Sequence, residues 1–66
     1  MSTLINHHAM YRQSGERAGR ALSKKDYALW KRECNWFHRA LAIEPADRRA
    51  EVQEVWDAAY KAVAGP

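Results

Sequence analysis

The stretch "ALWKRECNWFHRALAIEP", residues 28–45, decides the architecture. Its apolar residues recur every three or four positions and never alternate, which is the period of an amphipathic helix and excludes a half-buried strand. Two stripes run along it. One comprises Tyr27, Trp30, Cys34, Phe37 and Leu41; the other comprises Leu29, Glu33, Trp36, Ala40 and Ile43. A surface helix carries one apolar stripe. Two stripes predict a helix packed on two sides and therefore central in its domain. The remaining edge holds Lys24, Lys25, Lys31, Arg32, Asn35, His38 and Arg39, a basic strip that faces water or an acidic partner.

Punctuation on either side of this stretch sets the other elements. Upstream, "SKKD" offers Ser23 as an N-cap with Asp26 at the third helical position, a shortened capping box. Before it, Leu4, His8, Tyr11, Gly15, Ala18 and Leu22 are spaced by fours and threes and predict a first helix. Gly15, Ala18 and Gly19 make its middle flat, and glycine within a helix costs about 1 kcal/mol relative to alanine. The expected return is close approach of a bulky neighbour, the aromatics of the next helix being the nearest candidates; a break near Ser14-Gly15 is the other reading. Downstream, Pro45 ends the second helix, because a residue before proline is pushed out of the helical region. A third helix starts at Pro45 or with Asp47 as its cap. Its inner face is Val52, Val55, Trp56, Ala59 and Val63, with Tyr60 at the border, and Gly65 is its stop. The expected fold is thus a single all-α domain over residues 1–66, with helices at about 3–22, 24–43 and 46–63 forming antiparallel hairpins around helix two.

With 66 residues and one cysteine, no internal disulfide can supplement a small core. A lone thiol fits a reducing compartment. The polar start "MSTLINHHAMYRQ" is unlike a secretory signal, and no apolar run is long enough to span a bilayer. These features predict a cytoplasmic protein with no membrane partner. Charge is unevenly spread: residues 1–40 hold eight basic against three acidic residues, net +5, whereas residues 41–66 hold three against five, net −2. Such asymmetry guides the choice of partner.

Two resemblances bear on the chain. "NWFHRALAIEPADRRAEVQEVWDAAY" resembles the junction between two tetratricopeptide repeats, with Phe37, Ala40 and Pro45 at the family's spacings and Tyr11, Gly15 and Ala18 similar to the repeat's first helix. The turn between helices one and two is longer than in that family by about three residues, and Glu33 stands where a small residue is usual. The resemblance implies antiparallel hairpin packing. The arrangement "HHAMYR…GERAGRAL…ECNWFHRAL" resembles small proteins encoded by phages and prophages, which implies an accessory or inhibitor protein that acts on a host protein by binding it. Antagonism of a host defence system, including CRISPR machinery, is one form of that role.

Among candidate sites, Cys34 and His38 lie one helical turn apart, and His7 and His8 could add ligands. Structural zinc sites draw on ligand pairs with a loop spacing absent here, and Cys34 within an aromatic stripe reads as a small apolar residue. No metal and no cofactor are expected. Neither a nucleophile elbow nor a phosphate loop is present, and no small-molecule substrate or enzymatic activity is expected. The seven aromatic residues exceed what three short helices can cover, so one or two should be exposed. Aromatics and arginine dominate binding interfaces. The favoured reading is stoichiometric protein binding through Trp30, Lys31, Arg32, Asn35, His38 and Arg39, to a host protein or a second copy of this chain. The alternative is nucleic-acid binding through Arg17, Arg20, Lys24, Lys25, Arg32 and Arg39, because phosphate binding needs such cationic clusters.

Overall fold

In the computed structural model, the backbone is described over residues 3–65 and the side chains over residues 8–65. The expected roles of Leu4 in the first helical face and of His7 as a ligand lie outside the described side chains. Three helices follow one another: α1 (Thr3–Ser23), α2 (Tyr27–Ile43) and α3 (Ala46–Ala64). No strand occurs among the described residues. α1 runs unbroken through Ser14 and Gly15.

The α1–α2 junction differs from its expected form. α1 continues through Ser23, so Ser23 cannot cap α2. Lys25 takes a left-handed conformation, φ 62°. The Lys25 N–H donates to Leu22 O at 3.0 Å, and the Asp26 N–H donates to Ala21 O at 2.7 Å. These two bonds close α1 in a Schellman motif, with lysine where glycine is usual. Asp26 then caps α2, its carboxylate accepting from the Leu29 N–H at 3.3 Å. At the second junction Glu44 is extended, ψ 146°, and Pro45 is the residue before α3. Pro45 provides no side-chain cap, and Asp47 lies in the first turn of α3, where its charge complements the helix dipole. Arg49 reaches back to the end of α2: its Nε donates to Glu44 O at 3.0 Å and its Nη2 to Ala42 O at 3.3 Å. Gly65 stops α3 at φ 88°.

The packing order also departs from expectation. α1, not α2, shares the most extensive interface, and it does so with α3; α2 meets α3 least. Side-chain size accounts for this order. A Cβ added at Gly15 would stand 2.5 Å from Trp56 O, and one at Gly19 would stand 2.8 Å from Tyr60 O. The flat middle of α1 therefore admits the backbone of α3 and not, as the sequence suggested, the aromatics of α2. Between α2 and α3 the spacers are rings. Phe37 stacks on Trp56 at 4.7 Å, and Trp56 stacks on Tyr60 at 5.2 Å. Tyr11 meets Phe37 edge-on at 5.8 Å and Trp36 at 5.7 Å, joining α1 to the same aromatic chain. Tyr11, Ala18, Phe37, Val52 and Trp56 form the buried cluster, with Trp30, Cys34 and Leu41 packed against it.

One polar chain crosses this core. Trp56 Nε1 donates to Ser14 Oγ at 3.1 Å, and Ser14 Oγ donates to Glu33 Oε1 at 2.9 Å. Arg17 Nε donates to Glu33 Oε2 at 3.0 Å. Each helix contributes a member. Buried polar groups are tolerated when each finds a partner, and among the described residues no buried side-chain nitrogen or oxygen lacks one. This explains the carboxylate at position 33, where the hairpin resemblance implies a small residue.

Candidate functional site

The basic edge of the second helix is a distinct surface. Glu33 and Phe37 turn α2 inward. The opposite side carries Ala28, Lys31, Arg32, Asn35, Trp36 and Arg39, all exposed, which line an open concavity of about 470 Å³. No carboxylate lines it. The acidic residues on or beside α2 are committed elsewhere: Asp26 caps the helix, Glu33 joins the core chain, and Glu44 accepts from the Tyr11 hydroxyl at 2.7 Å. Lys31, Arg32 and Arg39 have no ion-pair partner among the described residues. Neighbouring arginines contrast with them, because Arg17 is held by Glu33 and Arg49 by the carbonyls that end α2.

Of the six residues expected to meet a partner, four line this concavity: Lys31, Arg32, Asn35 and Arg39. His38 is exposed beside it, its ring tilted against Phe37 at 6.2 Å. Trp30 lies on the inward side, half-buried, with its Nε1 donating to the Tyr60 hydroxyl at 3.3 Å. The aromatic on the basic face is Trp36, 37% exposed. Helical spacing carried the signal for it. Trp36 is four residues from Arg32 and therefore its neighbour, whereas Trp30 is two residues from Arg32 and faces away. Ile43, seven residues beyond Trp36 and on the same side, is 84% exposed. Tyr27, at 57%, is more exposed than Trp36, so the expected surplus of rings does reach the surface.

The cations of the nucleic-acid alternative divide between two places. Arg32 and Arg39 belong to the concavity above, while Arg17, Arg20 and Lys24 line a second one with Asp26 and Leu29. Lys25 sits in the turn between α1 and α2. Comparison with protein-family models, curated proteins and solved structures finds no match for this chain.

Cys34 and His38, one turn apart on α2, differ in burial, His38 being exposed. Cys34 is half-buried and packs against the core. Burial, reinforced by the nearby charge of Glu33, pushes its thiol pKa up, which keeps it protonated and poorly nucleophilic. Among the described residues no three His, Cys, Asp or Glu side chains gather as a metal site would require. No helix among the described residues is long and apolar enough to cross a membrane.

Proposed function

We propose that the protein acts stoichiometrically and without catalysis, docking the outer face of α2 onto a protein partner. The partner implied by the resemblance to phage-encoded proteins is a host protein, a defence or CRISPR component being one form. Trp36 carries the reading. It is a large ring left partly in solvent on a helix that has a buried side available, and it is flanked by three cations without an ion-pair partner among the described residues. Aromatic and arginine side chains at the centre of a contact supply most of its binding energy, and surrounding charge steers the encounter. Trp36 and Ile43 are the apolar anchors of this face, Lys31, Arg32 and Arg39 its charges, with Asn35 between them and His38 at its flank.

The test is capture from host extract by the wild-type chain beside Trp36→Ala and Arg39→Glu variants of unchanged helical content. A partner retained by the wild type and lost by both variants supports docking through this face. Retention of that same partner by both variants would exclude it.

A further inference from the structure

The outer face of α2 has an order that exposure alone does not express. Arg32, Trp36, Arg39 and Ile43 are spaced four, three and four residues apart. This is the spacing by which one helix presents a continuous seam to another. All four are exposed. The seam alternates cation and apolar side chain, and Arg32 and Arg39 stand about 10.5 Å apart along the axis at 1.5 Å per residue. We infer that the occupant of this face is an acidic amphipathic helix of the partner, with carboxylates two turns apart opposite Arg32 and Arg39, an apolar side chain between them against Trp36 and another beyond them against Ile43. The inference rests on the protein-binding reading and specifies its partner.

Three observations select this occupant. First, Asp26, Glu33 and Glu44, the carboxylates on or beside α2, are engaged within the chain, and among the described residues none pairs with the seam's cations. Second, α2 offers no free backbone groups along this face. An extended segment laid on it would leave its own N–H and C=O groups unpaired, whereas a helix arrives with them satisfied. Third, the face suits a nucleic acid poorly. Affinity for a phosphate backbone grows with the number of phosphates neutralised, and here the other cations lie in a separate concavity, with Arg17 already paired. The Trp36 ring is also held against Tyr11, which restricts its use as a stacking platform.

The experiment titrates the full chain with a synthetic helical peptide bearing glutamates two turns apart, with leucines between and beyond them. A counterpart has glutamine in place of each glutamate, and a duplex DNA oligonucleotide is the third probe. Backbone amide shifts locate the site and tryptophan fluorescence gives the affinity. The glutamate peptide should shift amides within residues 28–43 and bind at least about tenfold more tightly than the glutamine peptide at low salt. Arg32→Glu with Arg39→Glu should lose about tenfold or more, and Arg32→Lys with Arg39→Lys should keep most of the affinity, because the charge remains. Equal binding of the two peptides, binding of neither, shifts centred off α2, or tighter binding of the DNA through the same residues would each overturn the inference. Failure here, with an α2-dependent partner still captured from extract, leaves the protein-binding reading standing. Failure of the α2 variants to release any partner removes both.

Discussion

Tyr11 shows how much one side chain can join. Its ring is buried between Trp36 and Phe37, and its hydroxyl donates to Glu44 at the end of α2. Burial first, then the bond to Glu44 and its charge, push the phenol pKa from 10.0 up to about 12. Between those values the folded chain keeps a proton that the unfolded chain has lost. The contribution is therefore complete below pH 10 and disappears as pH rises through about 12. Urea midpoints of the wild type should fall more steeply across this window than those of Tyr11→Phe, which starts lower by about 1 kcal/mol because Glu44 loses a donor. Parallel declines would show that Tyr11 does not titrate this way. The same scale shows what spacing can reveal. The inward direction of Glu33 is visible in its stripe, but its partners are not, because Ser14 lies nineteen residues away and periodicity relates only residues on one helix. Trp36 could have been placed beside Arg32 by counting, since both belong to α2.

At the scale of elements, helix number, order and approximate ends were legible because each follows from local chemistry. The three-four period marks the helices, Pro45 separates α2 from α3, and Gly65 ends α3. The α1–α2 boundary was not, because the motif that closes α1 uses Lys25 where a glycine would have announced it. Packing order was also hidden. A flat glycine face says that something comes close, without saying which helix. Here α3 does, and the contact is with backbone carbonyls that cannot move aside. Gly15→Ala consequently sets two effects against each other. Helix propensity improves by about 1 kcal/mol, while the new methyl would collide with Trp56 O unless α1 and α3 separate. Overpacking of a close interface costs about 1–3 kcal/mol and separation would loosen the stacked rings as well. The net expectation is destabilisation, read as a lower denaturation midpoint and increased near-ultraviolet disorder of the tryptophans. A higher midpoint would show that the two helices part at little cost.

At the scale of the whole molecule, the charges of the proposed docking face bear on stability as well. A chain of 66 residues has a total stability of about 3–10 kcal/mol at the usual 0.05–0.15 kcal/mol per residue. Little of it comes from the outer face of α2, whose cations repel one another and pair with no carboxylate among the described residues. Replacing Arg32 and Arg39 by glutamate changes the formal charge by minus four, from +3 to −1, and removes that repulsion. The variant should therefore be at least as stable as the wild type at low ionic strength. Raising salt to the physiological range screens the wild-type repulsion over about 8 Å, so the wild-type melting temperature should rise with salt while that of the variant stays level or falls. A variant that melts well below the wild type at low salt would mean that these arginines hold the fold together. The opposite outcome isolates them as side chains the fold does without, as the proposed docking role requires.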